Sequence, residues 1–181
     1  YLRYAMDIPL HEIEKAHVQA KRELLAEVAQ RTGVQLDETV LTIGYARRAT
    51  PYKRAELLFT NVARLRRLAR PIGPLHILYA CKAHPKDVDG KAMIQRIYQA
   101  AGTLAEDVRV LYLEEYDMAL AQRLCAGVDL WLNTPRQPQE ASGTSGMKAA
   151  LNGVPSLSTL DGWWIEGHIE GVTGWSIGDG Q

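Results

Sequence analysis

Apolar residues recur along the chain with two alternating periods. From Pro9 to Thr32, Ile13, Ala16, Ala20, Leu24 and Val28 fall at helical spacing, and Gly33 supplies a natural stop. Thr39–Ala46 (TVLTIGYA) is a short β-branched run, the composition of a buried strand. Tyr52–Arg70 returns to the helical period, with Leu57, Leu58, Val62, Leu65 and Leu68 inward and arginines outward. Pro71-Ile72-Gly73-Pro74 reads as a turn. The same logic predicts strands at Leu75–Cys81, Val108–Leu113 and Val128–Leu132, separated by helices at Asp89–Ala101 and Met118–Ala126. A helix holding Lys148 follows, and then a short strand around Ser156–Leu160.

Strands separated by helices imply right-handed βαβ units. The expected fold is α/β, a Rossmann-like parallel sheet with helices on both faces. No repeat, low-complexity tract or linker interrupts the pattern, so residues 1–181 read as a single domain. Ligands in such sheets bind beyond the carboxyl ends of the strands. Past the first predicted strand come Arg47, Arg48, Tyr52, Lys53 and Arg54; past the second, Lys82 and His84. Glu114, Glu115, Tyr116 and Asp117 follow the third, and Asn133, Thr134, Arg136 and Glu140 follow the fourth. The cations of the first loop and the amides of the fourth can converge on one highly anionic ligand. A chance cluster of surface basic residues is the alternative for Arg47–Arg54.

The most informative stretch is EASGTSGMKAALNG, Glu140–Gly153. Its small side chains admit an anion to backbone N–H groups at a helix N-terminus. A lysine just behind such a site, here Lys148, can bond covalently to a carbonyl cofactor. Taken alone, the stretch is also compatible with a small-residue turn followed by a surface lysine.

Composition narrows the class. Twenty-one basic residues balance 21 acidic ones, which removes any bulk attraction to nucleic acid or an anionic membrane. No apolar run is long enough to span a bilayer. Cys81 and Cys125 sit in apolar surroundings, as reduced core thiols of a cytoplasmic protein do. His11, His17 and His168 are too scattered for a metal site, so no metal is expected, and His76 reads as a satisfied core histidine. Trp131 reads as core, as do Trp163 and Trp164, with a face for a missing partner as the alternative. The chain does not begin with Met and ends in Gly178-Asp179-Gly180-Gln181. It reads as an excised piece in which Tyr1–Tyr4 are ordered only against absent chain.

Four motifs, in order, carry a family resemblance: GYARRATPYKRAELLF (Gly44–Phe59), KAHP (Lys82–Pro85), LEEYDMALAQ (Leu113–Gln122) and EASGTSGMKAALNGVPSLSTLDGWWIEG (Glu140–Gly167). The last resembles the cofactor-lysine signature of the α-glucan (glycogen, starch, maltodextrin) phosphorylases, closest to the shorter bacterial and archaeal branch. The resemblance runs from about Glu12 and implies the C-terminal half of a GT-B fold. The reaction it implies is reversible phosphorolysis of glycogen or maltodextrin ends. Its partners would be an α-1,4-glucan, orthophosphate, glucose 1-phosphate and a missing N-terminal domain of the same chain, with a homo-oligomer left open. Neither nucleic acid nor membrane is implied.

Roles follow residue by residue from the resemblance. Lys148 matches the lysine that holds pyridoxal 5′-phosphate. Gly143, Thr144 and Ser145 match the segment around the cofactor phosphate, Arg47 a basic position beside it, and Tyr116 an aromatic next to the cofactor. Arg48 and Lys53 match the pair that clamps the substrate phosphate. Glu140, Ala141, Ser142 and Gly143 match the segment that holds the glucosyl hydroxyls. Ser145 stands where much of the family has Gly, and Asp117 where the larger enzymes have Arg, which leaves that loop's role open.

The chemistry is coherent. Two phosphates held side by side repel, so cations and oriented amides must offset the repulsion. A hydrolase would instead need paired carboxylates. Glu140 with Asp161 or Glu166 could mimic such a pair but would leave the basic loop unexplained. A sugar-nucleotide-dependent GT-B half-domain, or a non-catalytic glucan- or nucleotide-sugar-binding module, is the rival class, and it has no use for Lys148. Only one wall of the implied cleft is present, so this piece by itself is expected to be inactive.

Overall fold

The computed structural model describes residues 5, 7–104 and 108–178; Tyr1–Tyr4 lie outside them. Helix α1 spans Leu10–Thr32 and stops at Gly33, whose left-handed backbone (φ 72°) returns its N–H to the Ala29 carbonyl. Strand β1 (Leu41–Arg48), α2 (Val62–Ile72), β2 (Leu75–Lys82), α3 (Val88–Thr103) and β3 (Val108–Tyr112) follow. The chain continues through α4 (Met118–Gly127), β4 (Leu130–Asn133), α5 (Thr144–Leu151), β5 (Ser156–Thr159), α6 (Trp164–Gly167) and β6 (Gly174–Ile177). Side-chain caps set three helix starts: Asn61, Asp87 and Asp117 accept the N–H groups of Arg64, Gly90 and Leu120. The Asp117 cap gives this residue a structural role.

The six strands form one parallel sheet in the order β3-β2-β1-β4-β5-β6. The α/β Rossmann-like expectation is therefore met. The chain direction across the sheet reverses between β1 and β4, which makes their carboxyl ends the expected ligand crevice. Alternation along the strands separates two cores. Ile43, Tyr45, Ile77 and Tyr79 pack with Leu65, Met93 and Ile97 on one face. Ala46, Leu78, Ala80 and Trp131 pack with Leu24, Val28, Leu120, Leu124 and Ala149 on the other.

Several expectations are corrected. The predicted Tyr52–Arg70 helix begins only at Val62; before it lie single 3-10 turns at Pro51–Lys53 and Leu57–Phe59. Tertiary contacts take the carbonyls a longer helix would need. Tyr45 Oη and Thr134 Oγ1 donate to the Lys53 carbonyl at 3.0 and 2.8 Å, and Tyr79 Oη donates to that of Ala55 at 2.8 Å. Leu68 is solvent-facing, 58% exposed, and Pro71 and Ile72 finish α2 rather than forming a turn. Strand β1 runs two residues further than predicted, so Arg47 and Arg48 end the strand instead of following it. Ile13 and Ala16 lie on an exposed first half of α1, away from the core. Helix α6 and strand β6 carried too few periodic residues to be read from the sequence.

The cysteines are free and buried, and Trp131 and Trp164 are core. His76 is buried, but its Nδ1 has no partner among the described residues. Burial lowers its pKa, and the Lys21 and Arg109 cations add to the effect. Among the described residues, no helix is long and apolar enough to cross a membrane.

Candidate functional site

The carboxyl ends of β1 and β4 hold a buried charge cluster. Residues at the end of β1 alternate across the sheet, so Arg47 is buried while its neighbour Arg48 is exposed. Lys53 sits on the 3-10 turn just beyond, its ammonium 4.6 Å from the centroid of the Tyr52 ring. The turn is tied to the loop after β4. Besides the Thr134 hydroxyl on Lys53, Arg54 donates to the Thr134 and Pro135 carbonyls at 2.9 Å each, and the Arg136 N–H donates to the Tyr52 carbonyl at 2.6 Å.

Glu140 closes the cluster from the far end of that loop. Its Oε2 accepts from Arg47 Nη2 at 2.8 Å and from Lys53 Nζ. Burial raises the Glu140 pKa, yet the Lys53 hydrogen bond and the Arg47 charge outweigh it and hold the carboxyl below its ordinary value. Arg47 Nη1 is buried and has no partner among the described residues. The cluster therefore retains hydrogen-bonding capacity for a further acceptor.

Helix α5 starts beside it. Gly143 stands at its N-cap with φ 80° and ψ 41°, and supplies no side-chain cap. The Thr144 and Ser145 N–H groups lack helical acceptors by geometry, whereas that of Gly146 donates to the Gly143 carbonyl at 3.0 Å. Thr144 and Lys148 are exposed, and Ser145 is half-buried with its Oγ unpartnered among the described residues. Cys125 on α4 lies beneath, its Sγ 4.0 Å from the Ser145 carbonyl. Burial raises the Cys125 pKa, with the nearby Lys148 cation opposing it. Tyr116 is half-buried against this face. Its pKa is also raised by burial, with the Arg47 cation opposing.

Arg47, Lys53 and Glu140 thus meet directly, and Lys148, Ser145 and Tyr116 share a neighbourhood through Cys125. Arg48 does not join Lys53 on Glu140; Arg47 does. Ala141 is exposed, and Ser142 offers its carbonyl to the Trp163 N–H at 2.8 Å. His84 stays exposed, with its Nδ1 accepting the Lys86 N–H at 3.2 Å. Two residues named in the sequence take roles that were not read from it. Thr134 braces the Lys53 turn, and Asp161 accepts the Glu140 N–H at 2.8 Å. Asp161 lies two residues past β5, so the strand-end rule that pointed to the other loops points to its bracing role too.

The parallel sheet with its switch-point site is the architecture of a ligand-binding α/β domain, and the sequence comparisons specify the family. The family model for carbohydrate phosphorylases matches residues 4–172. The chain belongs to the carbohydrate phosphorylase family. It is similar to a maltodextrin phosphorylase of Thermococcus litoralis, 44% identical over 185 residues, covering 95% of this chain and 22% of that protein. A glycogen phosphorylase of Aquifex aeolicus is 44% identical over 191 residues, covering 96% of this chain and 28% of that protein. A glycogen phosphorylase of Mycobacterium bovis is 39% identical, with 93% and 22% covered. The chain therefore spans about a quarter of the length of these relatives.

Proposed function

We propose that the protein carrying this chain is a cytoplasmic α-1,4-glucan phosphorylase, and that residues 1–181 are its C-terminal, cofactor- and phosphate-binding domain of GT-B type. The observation that carries the reading is the buried Arg47–Lys53–Glu140 cluster at the β1/β4 switch point, beside the N-terminus of α5. The names of the relatives, glycogen and maltodextrin phosphorylases, support the substrate class.

Pyridoxal 5′-phosphate fits the residues present. Lys148 is a solvent-accessible amine on α5, Tyr116 offers an aromatic wall, and Ser145 Oγ and Arg47 Nη1 are polar groups awaiting an acceptor. When bound, the cofactor supplies a phosphate that exchanges a proton with the substrate phosphate. The chain's own groups do the rest. Arg47, Arg48 and Lys53 counter the charge of the paired phosphates. Glu140, Ala141, Ser142 and Gly143 orient the terminal glucosyl unit so that its C1 faces the attacking phosphate oxygen. A new C1–O bond to phosphate replaces the glycosidic bond, and the departing glucan oxygen takes up the proton that the orthophosphate gives up. The wall supplied by the remaining chain would exclude water, which would otherwise yield glucose.

The test is release of glucose 1-phosphate from maltodextrin and orthophosphate by the full-length protein. Lys148→Ala is expected to abolish it, and the isolated 181-residue chain to show none. Turnover with a nucleotide sugar and none with orthophosphate would overturn the proposal.

A further inference from the structure

The Glu140–Gly143 segment is laid on the segment that leaves β5. Asp161 is buried, 3% exposed; its Oδ2 accepts the Glu140 N–H at 2.8 Å and its Oδ1 accepts the Gly162 N–H at 3.0 Å. Two residues on, the Trp163 N–H donates to the Ser142 carbonyl at 2.8 Å. Between them the chain passes so close that a Cβ at Gly162, where φ is 58°, would lie 2.7 Å from the Ser142 carbonyl oxygen. The Trp163 indole then covers the start of α5. A Cβ at Gly143 would meet its Cδ1 at 3.2 Å, and one at Gly146 its Nε1 at 2.8 Å. Glycine at these positions and an indole opposite are complementary shapes.

We propose that Asp161 and Trp163 are positioning residues that set the working geometry of Glu140 and of the α5 N-terminus. Asp161 fixes the backbone from which the Glu140 carboxylate reaches Arg47 and Lys53. Trp163 fixes the turn that presents the first amides of α5. Neither touches the reacting atoms. The inference rests on the reading that Glu140 and its neighbours hold the glucosyl unit, because a displacement of about 1 Å in such a segment costs roughly a hundredfold in rate.

Asp161→Ala, Asp161→Asn and Glu140→Gln are compared in the full-length protein, with maltodextrin and orthophosphate as substrates. Thermal midpoints are recorded alongside, and rates are expressed per folded enzyme. Asp161→Asn keeps an acceptor oxygen for the Glu140 N–H, whereas Asp161→Ala removes it. Positioning predicts a fall in kcat of about ten- to a hundredfold for Asp161→Ala, with Asp161→Asn restoring most of it. Glu140→Gln is expected to be impaired in both kcat and glucan KM. Equal damage from Asn and Ala would make the Asp161 charge itself the active element and overturn the proposal. So would a lowered midpoint for Asp161→Ala with unchanged kcat per folded enzyme. If Glu140→Gln alone is silent, the site reading itself fails; if Glu140→Gln is impaired and Asp161→Ala is not, only the positioning inference fails. For Trp163, a Phe replacement combined with Gly146→Ala is expected to recover activity that Gly146→Ala loses alone. Strict additivity of the two changes would remove the indole from the account.

Discussion

The two ends of the strands each hold a carboxylate between cations, half-buried Asp129 at one and buried Glu140 at the other, and they use it differently. At the amino edge Asp129 has both oxygens taken by protein. Oδ2 accepts Lys21 Nζ at 2.6 Å and the Thr42 N–H at 2.7 Å, and Oδ1 pairs with His17 Nε2 at 2.9 Å. Lys21 also reaches the Val40 carbonyl at 2.9 Å. Both oxygens face protein donors, and the result is a clasp that fixes α1 to β1. At the carboxyl edge a single oxygen of Glu140 accepts from two cations, its Oε1 has no partner among the described residues, and Arg47 Nη1 is buried without one. Saturation marks a structural ion cluster, whereas residual capacity marks one that awaits a ligand.

Removing the clasp is expected to give the largest effect. Asp129→Ala strands the buried Lys21 ammonium, and a broken buried pair costs about 3 kcal/mol. Hydrogen exchange of α1 amides in the full-length protein reads this as local opening, while the phosphate KM stays within about twofold. A large change in phosphate use with α1 protection intact would reverse the roles assigned to the two edges.

Next in size is the carboxyl edge. Lys53→Ala, and separately Arg48→Ala, is expected to weaken phosphate use by about ten- to a hundredfold, since a charge-assisted hydrogen bond is worth roughly 1.5–3 kcal/mol. Glucan binding changes far less. Steady-state kinetics with each substrate varied in turn check this; a residue whose loss leaves phosphate dependence within a factor of two does not touch the substrate phosphate.

A smaller effect separates the edges by ligand rescue. Glu140→Gln leaves two buried cations without their anion, so orthophosphate is expected to raise its thermal midpoint more than that of the parent protein. Asp129→Asn gains no such extra response. An equal phosphate response in all three proteins would mean that Glu140 does not compete with phosphate for Arg47 and Lys53.

The smallest effect is on pH dependence. At Asp129, burial raises the pKa, but hydrogen bonds from His17, Lys21 and Thr42 more than reverse that, so its folded value lies below the ordinary one. Glu140 is lowered likewise. A lowered folded pKa means stability that is complete above the unfolded value, about 4, and lost as pH falls through the folded one. Acid unfolding is therefore expected to start below about pH 4.5, with a shallower acid limb in Asp129→Asn; an unchanged limb would remove Asp129 from the linkage.

Much of this was legible in the chain. The β-branched run located β1 because burial on both faces leaves a continuous apolar stretch, and the spacing of Leu24 and Val28 located α1 because burial of one helix face leaves a period. The polar residues past β1 and β4 located the site because the sheet topology sends strand ends to one edge. The Tyr52–Thr60 stretch misled because its apolar period is helical while its carbonyls are claimed by Tyr45, Tyr79 and Thr134, residues remote in sequence. Which arginine joins Lys53 was hidden as well, since it depends on where β1 ends and therefore on the phase of alternation.

We propose that the carboxyl edge, with Lys148 on the helix that starts beside the Arg47–Lys53–Glu140 cluster, is the cofactor and phosphate half of a glucan phosphorylase. Borohydride reduction of the full-length protein followed by peptide mass mapping tests it most directly. The account predicts a pyridoxyl group on Lys148 and on no other lysine of this chain; a label on Lys53 or Lys82, or none at all in an active preparation, would contradict it.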